Sequence, residues 1–159
     1  MLDRRFERKK VGVSLRPSEY FQRQGYVCPS SPRPTEIALR GDIGLDKFMF
    51  GVDYPHPEGT WPNTAPWLQS LFAGVPETDA RKILGLNAVA CYGLDGRSLD
   101  AVAQRIGLLA TEVLSFHGKI ETGLLEHFND RAGYAKPVEA VDETVLERAF
   151  EADLRVAAE

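Results

Sequence analysis

The sequence has only two cysteines among its 159 residues, Cys28 and Cys91, and they are too far apart for the Cys-x-x-Cys spacing of zinc knuckles or redox pairs. We expect both to be reduced packing residues, although Cys28 closes a short apolar segment and could face a site. Long hydrophobic runs are also missing, since none approaches the ~20 apolar residues of a membrane-spanning helix. Charged residues follow Met1 closely, where a signal peptide would have an apolar core. These absences predict a cytoplasmic protein without membrane contact.

An excess of positive charge is absent as well. The net charge is −4, so composition gives no reason to expect binding to nucleic acid or to an anionic membrane. The basic residues near the N-terminus are interrupted by Asp3 and Glu7, which is typical of a solvated helix face. The sequence contains no Walker-type glycine loop, no Gly-x-Ser-x-Gly elbow and no GxGxxG motif, and this excludes the corresponding enzyme classes.

Two short apolar segments, residues 25–28 and 48–52, are candidate strands, with a short helix predicted between them. A strand, a helix and a strand in this order predict a parallel pair with a right-handed crossover. The first part of the chain is therefore expected to have an α/β structure.

Amphipathic helices are predicted for the rest of the chain. Ser98 is a suitable N-cap for the first of them, which carries an apolar stripe at helical spacing. Further helices are predicted near residues 120–129 and 143–154. The chain thus divides into an α/β part over residues 1–95 and a helical tail over residues 96–159.

The segment after the second candidate strand carries most of the side chains capable of chemistry. Residues 48–52 are apolar and end abruptly in Asp53, which is followed by a proline-stiffened loop with His56, Glu58 and Trp61. Ligands of parallel sheets bind beyond the carboxyl ends of the strands, where an acid can serve as a metal ligand or a base. Asp also caps turns after strands. Spacing alone leaves both roles of Asp53 open.

The same loop offers weaker candidates for substrate contact. Histidine titrates near neutral pH and suits proton transfer, but a His56 bonded to backbone or packed on Trp61 is an equal alternative. Glu58 and Trp61 are further candidates for direct contact with a substrate. Trp67 is expected to anchor the next helix, and Asn87 to be a structural hydrogen-bonding residue near a helix end.

The sequence Gly-Val-Asp-Tyr-Pro-His at positions 51–56 resembles the last-strand motif of the amidohydrolase-related family, a superfamily of metal-dependent (β/α)8-barrel enzymes. Val52 replaces the serine of the family pattern. The resemblance extends to residues 16–21, 87–94 and 127–137. A complete barrel needs roughly 250 residues. The resemblance therefore implies the C-terminal fragment of a TIM barrel, followed by an α-helical tail, with the last two barrel strands near residues 25–28 and 48–53.

The resemblance also implies a divalent metal, zinc or manganese, in the complete enzyme. Asp53 would bind the metal and accept a proton from its water, and His56 and Trp61 would bind the small-molecule substrate. Family members take further ligands from a His-x-His pair and from two other histidines on strands without a counterpart here. The three histidines of this chain, His56, His117 and His127, include no such pair. We therefore expect no metal cofactor for this chain alone.

The function implied by the resemblance is metal-dependent hydrolysis of C–N or C–O bonds by the complete enzyme, with this chain inactive by itself. Decarboxylation, a C–C lyase reaction of the same superfamily, is the chemical alternative. Two further arrangements stay open: a non-catalytic truncated product that oligomerises, and a split enzyme. The expected macromolecular partner is accordingly either an N-terminal barrel half from a separate chain or a second copy of this chain.

Overall fold

Helices make up most of the computed structural model, which describes residues 2–9, 12–29, 32–56, 59–115, 122–131 and 143–158. The α-helices in these ranges are α1 (Leu2–Lys9), α2 (Pro17–Gln24), α3 (Pro34–Ala38), α4 (Arg40–Ile43), α5 (Thr64–Phe72), α6 (Glu77–Arg81), α7 (Asn87–Tyr92), α8 (Gly96–Ile106), α9 (Ala110–Leu114), α10 (Thr122–Arg131) and α11 (Glu143–Val156). A 3₁₀ turn covers Leu45–Lys47, and a π-helical segment over Lys82–Leu86 joins α6 to α7. No helix in these ranges combines the length and the apolar character needed to span a membrane. The residues outside the described ranges include Glu58, His117 and positions 132–137.

Local sequence signals account for where several of these helices begin. In α2, α3 and α9 a glutamate at the third helical position accepts a hydrogen bond, at 2.7 Å, from the backbone N–H of the residue before the helix; these are Glu19, Glu36 and Glu112. Pro17 and Pro34 occupy the first positions of α2 and α3, where a helix has no partner for an N–H. These contacts stabilise helices that are too short to persist in isolation.

The two predicted strands do not form within the described residues, and the prediction of a TIM-barrel fragment is therefore wrong. Val27 and Phe48 make a single isolated parallel bridge. The Val27 N–H donates to the Lys47 carbonyl, and the Met49 N–H donates to the Val27 carbonyl, both at 2.8 Å. The described chain is thus mostly helical, and the expected strand regions are extended segments that belong to no sheet.

The extended segment that starts at Phe48 finds its hydrogen-bond partners in the helical part of the chain. The Phe50 N–H donates to the Ile83 carbonyl in the π-helical segment at 3.0 Å. The buried side-chain amide of Asn87 donates to the carbonyls of Leu45 and Phe48, each at 2.7 Å. The structural role predicted for Asn87 is therefore confirmed. An apolar run fits a strand and any other buried extended segment equally well, so periodicity could not distinguish the two.

The hydrophobic core lies between this extended segment, α5, the π-helical segment and α9. Phe48, Phe72 and Ile83 are at most 1% exposed. The core also contains Ile37, Trp67, Leu68, Leu71, Ala80 and Val113. Trp67 is buried in this cluster from within α5, which confirms its predicted anchoring role. Residues 53–63 are called the Asp53 loop below. This loop joins the extended segment at one end and α5 at the other, and both of these elements contribute residues to the core.

Helix α8 begins earlier than predicted, because Asp95 and not Ser98 is its N-cap. The Asp95 carboxylate accepts hydrogen bonds from the Ser98 hydroxyl, at 2.5 Å, and from the backbone N–H groups of Ser98 and Arg97. By bonding the charged form, these donors lower the pKa of Asp95. None of the α8 residues is buried, so Val102 and Ile106 of its apolar stripe are exposed in the described structure. The division of the chain after residue 95 stays a prediction.

Candidate functional site

The Asp53 loop begins with a left-handed backbone conformation. Asp53 has a φ of +59°, in a region that Asp and Asn adopt more readily than other non-glycine residues. The His56 N–H donates to the Asp53 carbonyl at 2.7 Å, and the Gly59 N–H donates to the His56 carbonyl at 2.9 Å. The turn after the extended segment is therefore closed through the backbone carbonyl of Asp53.

Gly59 brings the loop back against the end of the extended segment. A Cβ at this position would lie 2.6 Å from the Val52 carbonyl oxygen and 3.1 Å from that of His56. Side-chain carbons do not approach backbone oxygens so closely, so this point of the loop requires glycine. Because Gly59 has no side chain, the loop can lie close to the backbone on both sides of Asp53.

The structure brings two of the predicted site residues together. Oδ2 of Asp53 lies 3.8 Å from Nδ1 of His56, and the two side chains are 51% and 55% exposed respectively. This separation allows an ion pair when the imidazole is protonated, and it leaves part of both side chains open to solvent. A carboxylate and an imidazole at one accessible position can bind a cation or exchange a proton with a bound molecule.

Trp61, the third predicted site residue, packs against Tyr54. Their ring centroids are 5.0 Å apart and the ring planes meet at 71°, an edge-to-face arrangement. Both rings are exposed, so the pair presents an apolar surface on the loop. Tyr54 was not among the predicted site residues, although its place in the motif at positions 51–56 was an available signal.

Cys28 lies beside the start of the loop. A Cβ built on Gly51 would be 3.2 Å from the Sγ atom of Cys28, so the thiol is close to the backbone just before Asp53. Burial and, as a second cause, the negative charge of Asp53 raise the pKa of the Cys28 thiol. The thiol is therefore protonated at neutral pH, and in this form it is a poor nucleophile and a poor metal ligand.

The Asp53 loop lies within a region that matches a known family. A family model described as amidohydrolase matches residues 8–94, which is more than half of the chain and includes the whole loop. The chain belongs to the amidohydrolase family. The family suggested by the motif at positions 51–56 is thus confirmed. A search of curated proteins and a search of solved structures each returned no match.

Amidohydrolases generally use divalent metals. In the part of the chain that the structure describes, no group of three or more His, Cys, Asp and Glu side chains is arranged to hold a metal ion. Asp53 and His56 bring two donors together, whereas a catalytic zinc normally takes three protein ligands and an open position. The described residues of this amidohydrolase chain therefore do not complete a metal site by themselves.

Asp53→Asn should make the Cys28 thiol of this amidohydrolase chain more reactive. The substitution removes one of the two causes that raise the thiol pKa, so the thiolate appears at lower pH. Alkylation of Cys28 by iodoacetamide, followed by mass spectrometry over about pH 7–10, should accelerate at lower pH than in the wild type. Cys91 is the internal control and should keep its rate. Identical Cys28 profiles in the two proteins would show that the carboxylate and the thiol are not electrostatically coupled.

His127 pairs with the buried carboxylate of Asp153. Its Nε2 lies 2.8 Å from Oδ1 of Asp153, and the side chains of the two residues are 17% and 5% exposed. Asn63, the last residue of the Asp53 loop, donates to the same oxygen at 3.4 Å. Asp153 was missed in the sequence because nothing in an amphipathic helix distinguishes one acid from its neighbours.

Proposed function

We propose that this amidohydrolase chain takes part in the metal-dependent hydrolysis of a C–N or C–O bond in a small molecule, with Asp53 as its catalytic residue. The observation that carries the proposal is the half-exposed carboxylate of Asp53 in the region that matches the family. The hydrogen bonds of the His56 and Gly59 N–H groups restrain the backbone on which this carboxylate is mounted. A restrained, accessible carboxylate is well suited to act as a general base.

Each residue of the loop has a specific role in this proposal. Asp53 accepts the proton of the attacking water and, in the complete enzyme, offers an oxygen to the metal. The metal, zinc or manganese, supplies Lewis acidity when it is bound. His56 contacts the polar part of the substrate from its position 3.8 Å from Asp53, and the ring pair of Trp61 and Tyr54 packs against an apolar part.

Among the described residues, Asp53 and His56 bring only two metal donors together, and this supports a proposal about the partner. A second copy of the chain repeats the same three histidines, none of them in a His-x-His pair. We therefore propose that an N-terminal amidohydrolase polypeptide, carried by a separate chain, provides the remaining ligands. A reading frame beside this gene that encodes a His-x-His pair is the partner to test first.

The purified chain alone should hold no stoichiometric zinc or manganese after extensive dialysis, because Asp53 and His56 fall short of a three-ligand site. Elemental analysis measures this directly. The complex with the N-terminal polypeptide should retain about one metal per site and hydrolyse amide or ester substrates. Release of CO2 without hydrolysis would assign the decarboxylase reaction instead. About one tightly held metal in the chain alone would contradict the ligand assignment.

A further inference from the structure

Helix α11 supplies a buried carboxylate to the end of the Asp53 loop. Oδ1 of Asp153 lies 2.8 Å from Nε2 of His127, on α10, and 3.4 Å from Nδ2 of Asn63. Asp153 is 26 positions from His127 and 90 positions from Asn63 in the chain. A single carboxylate oxygen therefore connects two helices of the C-terminal tail to the loop that carries the candidate site.

Asn63 connects the Asp53 loop to helix α5, which belongs to the core. Its carbonyl accepts a hydrogen bond from the Trp67 N–H at 3.3 Å, at the start of α5. The preceding Thr60 is buried, and its hydroxyl lies 3.1 Å from that of Thr64 in the first turn of α5. Thr60 follows Gly59, whose N–H donates to the His56 carbonyl, so Asn63 is connected through Thr60 and Gly59 to the turn at Asp53.

Burying a carboxylate, as at Asp153, costs free energy unless hydrogen-bond partners replace the water that the carboxylate loses. At its Oδ1 atom, the contacts with His127 and Asn63 replace part of this water. Acids elsewhere on α11, such as Glu151, are exposed and avoid this cost. The contacts of the Asp153 carboxylate with Asn63 and His127 thus lie outside α11, with the loop and with α10.

We propose that Asp153 is a positioning residue of the candidate site: held by His127, its carboxylate fixes Asn63 and through Asn63 the Asp53 loop. The C-terminal tail, which lies beyond the family match at residues 8–94, is then part of the framework of the site. The inference rests on the proposed function because that proposal makes the Asp53 loop a functional site. The position of the loop can nevertheless be measured without catalysis.

Hydrogen exchange of the whole chain, read by NMR, tests this connection. The amides of His56 and Gly59 are hydrogen-bonded within the loop and report on its stability. Asn63→Ala removes the link on the loop side and leaves the buried pair in place. It should accelerate exchange at both loop amides by about two- to tenfold, the effect of losing one hydrogen bond of ordinary net strength. The hydrogen-bonded amide of Ala80, in α6, should keep its rate.

Asp153→Ala should give the same selective acceleration, and Asp153→Asn should restore most of the protection, because the amide oxygen can still accept from Asn63. A purely structural role of Asp153 would accelerate exchange at Ala80 as well. Glu151→Ala, at an exposed position of α11, is the matched control and should change nothing at the loop. If Asp153→Ala does not fold, the exchange rates of the loop amides in Asn63→Ala alone test the proposal.

Unchanged exchange at both loop amides in Asn63→Ala overturns the proposal, and so does an equal acceleration at Ala80. Failure of the proposed hydrolase function can be distinguished from failure of this positioning role. If the complex with the N-terminal polypeptide is inactive while Asn63→Ala loosens the loop, the positioning role of Asp153 stands and the hydrolase assignment fails.

Discussion

Asp53→Asn is expected to reduce kcat of the proposed complex with the N-terminal polypeptide by on the order of 10²–10⁴-fold, the usual contribution of a general base. The substitution keeps the shape of the side chain and removes its charge and most of its basicity. It also suits the backbone, since Asn tolerates the left-handed φ of +59° at this position as well as Asp does. A loss of rate would then come from the carboxylate and not from a disturbed turn. Steady-state kinetics, with metal content measured on the same samples, tests this expectation.

Three further variants separate the effects of backbone, charge and neighbouring groups. Asp53→Gly removes the carboxylate and accepts the positive φ without strain, so it should fold and be as inactive as the Asn variant. Asp100→Asn neutralises an acid on the exposed helix α8 and should leave kcat unchanged. His56→Ala should have a smaller effect that depends on the substrate, because its proposed role is contact and not proton abstraction.

Near-normal turnover by Asp53→Asn with its metal bound would remove the catalytic role of Asp53. The residue would then keep only the turn role that its spacing allows. In the structure the His56 N–H bonds the carbonyl of Asp53, so the turn itself depends on backbone that the Asn variant retains. The turn role alone therefore predicts full activity for this variant, and the two hypotheses give opposite results.

Phe72→Ala should lower the free energy of unfolding by about 3–5 kcal/mol, the range for loss of a buried aromatic side chain. Phe72 is fully buried in the core that also holds Phe48 and Ile83, and its truncation leaves a cavity in this core. The loss is a large part of the about 5–15 kcal/mol that stabilises a typical domain. Urea unfolding followed by circular dichroism provides the measurement.

Tyr92→Ala is the matched control for this experiment, because the Tyr92 ring is exposed on α7. Its effect on the free energy of unfolding should stay within about 0.5 kcal/mol. Similar losses in the two variants would contradict a core centred on Phe72. Because the core residue Phe48 begins the segment that leads into Asp53, Phe72→Ala should also weaken the loop, whereas Tyr92→Ala should not.

The family could be predicted from the sequence because its signal is local. The motif at positions 51–56 needs no knowledge of the fold, and it lies inside the region that the family match covers. The proximity of Asp53 and His56 is likewise a short-range consequence of one turn. The catalytic and substrate-binding roles of Asp53, His56 and Trp61 stay predictions, since contact geometry alone does not establish them.

Amphipathic periodicity predicted the positions of two C-terminal helices well. The expected helices near residues 120–129 and 143–154 are found as α10 and α11. The start of α8 was misplaced because Asp95 and Ser98 are both good caps, and the choice is made by the Ser98 hydroxyl, which donates to Asp95. The strands were predicted wrongly because an apolar run does not reveal whether its partner is a strand or a helix.

The sequence by itself determined the family, most of the helices and the short loop that joins Asp53 to His56, since these depend on residues a few positions apart. Only the tertiary structure decided that Phe50 bonds the Ile83 carbonyl and not a neighbouring strand. It likewise decided that Cys28 lies beside Asp53, where burial and charge raise the pKa of its thiol. The link from Asp153 to Asn63 spans 90 positions and has no signature in either segment. Such contacts arise because packing brings distant groups together and then requires each buried polar atom to find a partner.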